Sequence, residues 1–242
     1  LTHTAGMTVH GFDGYAKGAP VPNLIAVLDG KKPANSPAIR VHIVPNTRAE
    51  YSGGGYVVMQ QMMNDVTGKP FDRLLQDTVL DPIGMTHSSF AQPLPASKLA
   101  QAAMPYDSKG VAIAGGPHTY PEMAPAGLWS TPTDLALFAI EIQKSSAGKS
   151  NRVLSKAMTA EMLKPSKLAR EGLGLDRPGS PAHPYFGHNG ADAGYQSDLI
   201  AYDNGDGVAI MANSDNGLKL AGDIEEAVAH EYGWPDFGPR EH

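Results

Sequence analysis

The sequence contains no cysteine. Disulfides, a thiolate nucleophile and cysteine-ligated zinc are therefore excluded. A cysteine-free chain suits the periplasm or the cell exterior, which is the expected location, with the cytoplasm as the alternative. No run reaches the roughly 18–20 apolar residues of a membrane span. The best stretch, residues 135–142, is broken by Glu141. Nothing reads as a signal peptide. No Lys/Arg-rich run or basic helix face is present and the net charge is −6, so nucleic acid is not an expected partner. There is no internal repeat and no low-complexity tract.

Several chemical signatures are also missing. Among nine histidines none forms HExxH, and His230-Glu231 lacks the second histidine; no metal and no cofactor are expected. Gly53-Gly54-Gly55 is not followed by the Lys-Ser/Thr of a phosphate loop. No GxSxG elbow exists, which argues against an ordinary α/β-hydrolase.

What is present reads as a folded α+β protein. At 242 residues, 41% hydrophobic and 18% charged, the chain can bury one sizeable core. With 27 glycines and 20 prolines it should be rich in loops, where active sites tend to lie. Residues 24–28 could begin a short helix, and the alternation over 39–44 predicts a strand ending at Pro45. A long helix should follow Gly53-Gly54-Gly55, since Tyr56, Val57, Met59, Gln60, Met63 and Val66 recur near helical spacing and Gly68 is a natural stop. Pro70 opens another, burying Phe71, Leu74, Leu75 and Val79 and ending before Asp81-Pro82.

Residues 90–127 look irregular. Thr131-Pro132-Thr133-Asp134 is a helix start, with Thr131 as cap and Pro132 in the first turn. A helix is predicted near 155–163. Tyr185-Phe186-Gly187-His188 reads as a strand end, residues 195–202 as a second strand and 208–212 as a third. Asn204-Gly205-Asp206-Gly207 forms the hairpin turn. A last helix, about 218–232, presents Leu218, Ala221, Ile224, Val228 and Ala229. The expectation is one domain over 1–242, helix-rich over about 50–165 and closed by an antiparallel sheet and helix over about 183–233.

Two stretches carry chemistry. In Tyr51-Ser52-Gly53-Gly54-Gly55-Tyr56 a tyrosine precedes small residues and a helix start, so its hydroxyl can overhang a cleft. In His188-Asn189-Gly190-Ala191 the glycine leaves room for a ligand lying along a strand. Alone, each also fits a packed tyrosine beside a glycine turn, or a plain turn.

Together, in this order, they resemble the penicillin-recognising serine hydrolases: AmpC-type β-lactamases, DD-peptidases and related esterases. That group has a Ser-x-x-Lys motif, a central polar motif and a Lys-Thr-Gly strand. In the AmpC-like branch the central motif begins with tyrosine, and many members carry histidine for the strand lysine. Tyr51-Ser52-Gly53 resembles the second motif and His188-Asn189-Gly190 the third. The flanks agree: Leu1-Thr2-His3-Thr4-Ala5-Gly6-Met7, Pro82-Ile83-Gly84-Met85-Thr86-His87-Ser88, and Ala126-Gly127-Leu128-Trp129-Ser130-Thr131 resemble shared segments.

The resemblance implies a β-lactamase/transpeptidase-like fold and acyl transfer to water on an ester, amide or lactam of a small molecule or peptide. It implies catalytic roles for Tyr51 as proton relay, His188 as its cationic neighbour and the Ala191 N–H as half of an oxyanion hole. It places substrate contacts at Gly53, Asn189, Gly190 and Trp129. Two departures matter. Gly53 stands where the branch often has asparagine, which favours an esterase or peptidase over efficient lactam hydrolysis. The Ser-x-x-Lys motif would precede Leu1, so the chain is expected to be N-terminally truncated. It should lack the first strands and nucleophile helix, be inactive by that mechanism, and self-associate through exposed core faces. Ser146-Ala147-Gly148-Lys149 matches the pattern but follows a helix instead of starting one, and comes after Tyr51. The alternative is a non-catalytic module binding peptides or peptidoglycan fragments; a structural protein without a site is a third reading.

Overall fold

A computed structural model describes residues 1–169 and 171–237. The short helix α1, Leu24–Asp29, is capped by the Asn23 side chain and stopped by Gly30. The predicted long helix is α2, Gly53–Thr67, with Ser52 as cap and Gly68 in the left-handed conformation (φ 66°) at its end. It buries Val57 and Gln60, while Val58, Met62 and Val66 form an outward stripe and Val66 is 81% exposed. Val66 recurs at helical spacing with Val57 and Gln60, but the helix's last turn runs past the core that α1 and α2 share.

Two expectations are corrected. The alternating segment 39–44 makes one bridge, Val41 to Met7. Residues 6–8 pair with it over that bridge alone, the Thr8 N–H donating to the Arg40 carbonyl and the His42 N–H to that of Gly6, while the Ile39 N–H turns away to the Leu28 carbonyl, so the pairing does not extend into a strand. The helix from Pro70 does not end before Asp81-Pro82. Helix α3, Phe71–Leu75, passes into a π-helical turn, Gln76–Leu80, and on into α4, Asp81–Ile83, which Gly84 stops. Proline lacks an N–H and crowds the preceding turn; the wider turn accommodates it.

The region 90–127 is irregular as expected, apart from α5, Ala96–Leu99, and α6, Met123–Ala126. Helix α7, Pro132–Ser146, begins as predicted, with the Thr131 hydroxyl accepting from the Asp134 N–H at 3.2 Å. Helix α8, Lys156–Met162, is capped by Ser155.

The described sheet is antiparallel, in the order β1, Gly179–Ser180, β2, His183–Asp192, β3, Tyr195–Tyr202, and β4, Gly207–Ala212. The histidine motif was expected at a strand end. It lies within β2, which continues to Asp192 before a two-residue turn at Ala193-Gly194. Helix α9, Gly217–Tyr232, closes the chain. Its inward face is Ala221, Glu225 and Ala229, not Ile224, because the alanines let the helix approach the sheet closely.

The sheet packs on both faces. Phe186, Leu199 and Ala201 meet Ala139, Ile142 and Leu163 on the α7/α8 side. Tyr185, Ile200 and Tyr202 meet Ala229 and Trp234 on the α9 side. Together with helices in the first two-thirds, this is the expected α+β arrangement.

Buried carboxylates tie the helical part together. Asp134 is buried; one oxygen accepts from the His87 N–H at 2.9 Å and the Ser88 hydroxyl at 2.7 Å. Glu122, at the start of α6, is fully buried and neither of its oxygens has a hydrogen-bond partner among the described residues. Burial pushes its carboxyl up to about 7.

Replacing Asp134 by alanine strands the His87 and Ser88 donors, and should lower stability by about 2–4 kcal/mol in urea unfolding. For Glu122 the folded state holds a proton that the unfolded state releases near 4.5. Its contribution is therefore complete below 4.5 and is lost as pH rises towards 7, by up to about 1.4 kcal/mol per pH unit. Glu122→Gln should flatten that slope, and thermal melts from pH 5 to 8 should show it gaining on the parent as pH rises.

Candidate active site

The start of α2 explains where Tyr51 sits. The first N–H groups of a helix have no partner within it. Here the 3–10 loop and the cap supply them. Ser52 N–H donates to the His3 Nδ1 at 3.0 Å, Gly53 N–H to the His10 carbonyl at 2.9 Å and Gly54 N–H to that of Val9 at 3.0 Å; Gly55 N–H donates to the Ser52 hydroxyl at 3.1 Å. That hydroxyl in turn donates to the Thr8 carbonyl at 2.8 Å.

The glycines are what let this loop close. A β-carbon at Gly54 would strike the Thr8 carbonyl oxygen, and one at Gly53 would lie 3.0 Å from the His10 carbonyl and 3.2 Å from the Phe12 ring. Gly53, one of the expected substrate contacts, is buried beneath residues 10–12 and Pro125.

Tyr51, one residue before the cap, is 43% exposed. Three imidazoles surround it. His3 stacks on its ring at 4.1 Å between centroids, His10 lies at 4.7 Å and His188 at 6.3 Å. The structure thus brings together Tyr51 and His188, which are 137 positions apart in sequence. His3 and His10 were not singled out as site residues; His3 entered only as part of a flanking segment. Burial raises the Tyr51 phenol pKa above its ordinary value, and the Asp176 and Glu171 carboxylates add to that. Within this chain Tyr51 is a neutral hydrogen-bond donor at physiological pH.

The register of β2 decides where its backbone points. Asp192 and Tyr195 flank a two-residue turn and form a hydrogen-bonded pair. Counting back, Gly190 and His188 bond to Ser197 and Leu199, while Asn189 and Ala191 turn their N–H and C=O groups to the other edge. Gly187, of the same parity, uses that edge to exchange hydrogen bonds with Asp176 at 2.9 and 3.2 Å. Beyond this bridge the edge is free among the described residues, and the Ala191 N–H faces it. At Gly190 the Ser197 hydroxyl takes the room a side chain would need: a β-carbon there would come within 2.9 Å of it.

At the turn end, Trp129 packs edge-on against Tyr195 at 5.6 Å. Its ring contact is with the hairpin, and its indole N–H is buried without a partner among the described residues. Asp192 lies on the same face of β2 as His188, and burial pushes its carboxyl up to about 7.

Ser52 caps α2. Ser146 is the last residue of α7, at the carbonyl end of a helix, where the dipole disfavours an alkoxide. No group of three or more metal-ligating side chains occurs among the described residues, and no helix among them is long and apolar enough to cross a membrane.

The beta-lactamase family model matches residues 1–232. A penicillin-binding protein from Bacillus halodurans superposes with a TM-score of 0.72 at 19% identity, covering 94% of this chain and 72% of that one. The D-amino acid amidase of Ochrobactrum anthropi SV3, complexed with D-phenylalanine, superposes with a TM-score of 0.67 at 19% identity, covering 94% and 70%. Among curated proteins, the teichoic acid D-alanine hydrolase of Staphylococcus aureus is 28% identical over 95 residues, which is 39% of this chain and 24% of that protein. The matched stretch is thus about a quarter of that relative's length. The motif pair, its flanks and the fold converge: this chain belongs to the beta-lactamase family.

Proposed function

We propose that the chain carries the proton-transfer and oxyanion half of a serine hydrolase that moves an acyl group to water, with D-amino acyl esters and amides as its substrates. Ester or amide cleavage is favoured over efficient lactam hydrolysis. The observation that carries this reading is the meeting of Tyr51 and His188 beside the free β2 edge that displays the Ala191 N–H. The relatives named for D-alanine hydrolase and D-amino acid amidase activity support the substrate class.

In this reading a serine hydroxyl passes its proton to the lysine of a Ser-x-x-Lys motif as its oxygen bonds to the carbonyl carbon and charge moves onto the carbonyl oxygen; collapse of that intermediate breaks the bond to the leaving group, and the lysine returns the proton to the serine oxygen when water releases the acyl group. The Ala191 N–H stabilises that charge; losing one such donor typically costs ~10²–10³ in rate. Tyr51 passes a proton to the leaving group, then takes one from the water that hydrolyses the acyl-enzyme. Partly shielded from water, with the Asp176 and Glu171 carboxylates acting on it, its phenol holds its proton, so the relay needs a cation next to it. His188 can supply one when protonated, and the lysine of a Ser-x-x-Lys motif, contributed from outside these 242 residues, supplies the other. Asn189, Gly190 and Trp129 contact the substrate. Action in the periplasm or outside the cell belongs to the same reading. So does self-association through outward apolar faces such as Val58, Met62 and Val66, a feature supported by the octameric penicillin-binding protein homologue of Pyrococcus abyssi.

One observation favours a second reading, a binding module without turnover: the chain's Ser-x-x-Lys match sits at the wrong end of α7. Fluorophosphonate and penicillin probes should leave the 242-residue chain unlabelled, and a label on Ser52 or Ser146 would overturn the role assigned here. Expressed with the gene sequence that precedes Leu1, the protein should be labelled and should hydrolyse D-alanine esters and amides faster than a chromogenic cephalosporin. Tyr51→Phe in that protein should lower kcat by ~10²–10⁴. An extended protein that binds D-alanine amide but takes no label decides for the binding module.

A further inference from the structure

We propose that His3 is a positioning residue for Tyr51, holding the backbone on both sides of it and fixing the plane of its ring through a neutral imidazole protonated on Nε2. This rests on the proton-transfer role proposed for Tyr51. The geometry is specific to that tyrosine. Glu50 N–H donates to the His3 carbonyl at 2.8 Å, and Ser52 N–H donates to the His3 Nδ1 at 3.0 Å. The residues before and after Tyr51 are therefore bound to one and the same residue. Between these two bonds the His3 ring lies on the phenol, 4.1 Å away and inclined by 28°.

The tautomer follows from the donor. A backbone N–H can only donate, so Nδ1 presents a lone pair and the proton of the neutral ring is on Nε2. His3 also adopts a left-handed backbone conformation, φ 53°, which is uncommon outside glycine and persists only where neighbouring contacts hold it. Here the backbone and ring bonds of His3 together provide that hold.

Protonation breaks the arrangement. A proton on Nδ1 would face the Ser52 N–H, donor against donor, and Ser52 would lose its acceptor while still capping α2. Burial moves His3 in the protective direction, below its ordinary value of 6.5. The groups facing it are the Glu171 carboxylate, which favours the cation, and His188 and His10, which oppose it; Tyr51 and Tyr56 cover the ring. The net direction keeps Tyr51 held at neutral pH and releases it on acidification.

The test needs no turnover, so it is independent of whether hydrolysis is found. Long-range proton–nitrogen correlation spectra of the chain should show His3 as the Nε2–H tautomer. Ser52 amide exchange, expressed as a protection factor, should be at least about tenfold slower at pH 7 than after His3 has titrated, the value of one hydrogen bond of about 1.4 kcal/mol. His3→Asn keeps an acceptor close to the Nδ1 position and should retain most of the protection while losing the ring-current shift on the Tyr51 protons. His3→Phe keeps a flat ring without the acceptor and should lose the protection at every pH. An Nδ1–H tautomer, or Ser52 protection indifferent to acid and equal in His3→Phe, overturns the proposal. If His3→Phe does not fold, the acid titration of the unaltered chain decides it.

Discussion

The unpaired N–H groups at the start of α2 are the constraint on which the rest of the candidate site depends. Four consecutive donors, from Ser52 to Gly55, must find acceptors in a buried place where water is not available to them. The chain meets this by laying residues 3–10 across the helix end, close enough that only glycine fits at position 54. Everything local to Tyr51 follows. The loop brings His3 and His10 against the phenol, the cap fixes the backbone just after it, and the direction of α2 aims the ring at β2.

A second constraint comes from the hairpin. A two-residue turn at Ala193-Gly194 sets which residues of β2 and β3 face each other, and a shift of one position would move every side chain to the other face. With the observed register, His188 and Gly190 share a face with Phe186, towards the helical part, and the Ala191 N–H points along the free edge. The packing of α7 and α8 on one face and α9 on the other holds that register by burying apolar side chains on both. The site is thus a meeting of two rigid parts, a helix end and a sheet edge. Its electrostatics are incomplete as they stand: partly shielded from water and under the influence of two carboxylates, Tyr51 keeps its proton. The arrangement suits a phenol that donates, and acquires a base only when a cation is brought beside it.

Much of the fold could be read directly from residue patterns. Thr131-Pro132-Thr133-Asp134 starts a helix in almost any context, because the cap and the proline act within one turn. Gly68 stops one by its left-handed conformation, and the strand at 195–202 is bounded by turn residues on both sides. The readings that failed were those that depended on neighbours. Residues 39–44 alternate like a strand, but the segment beside them, around Met7, pairs with them through a single bridge, too short to make a strand. Asp81-Pro82 reads as a helix end, yet a π turn absorbs the proline. Ile224 gave way to Glu225 on the inner face of α9 because the small residues next to it set the approach to the sheet.

The site divides in the same way. Tyr51-Ser52-Gly53 and His188-Asn189-Gly190, in that order and with their flanks, were enough to place the chain in its family, since motif identity and order are properties of the covalent chain. The packing of Gly53 could not be read there: local sequence shows a glycine beside a tyrosine, and only the folded loop shows the His10 carbonyl and Phe12 ring that a side chain would crowd. Nor could His3, 48 positions before Tyr51, be recognised as its closest neighbour. Stacking distance, the tautomer of an imidazole and the free edge of a strand are relations between segments that meet only after packing, and no single segment encodes them.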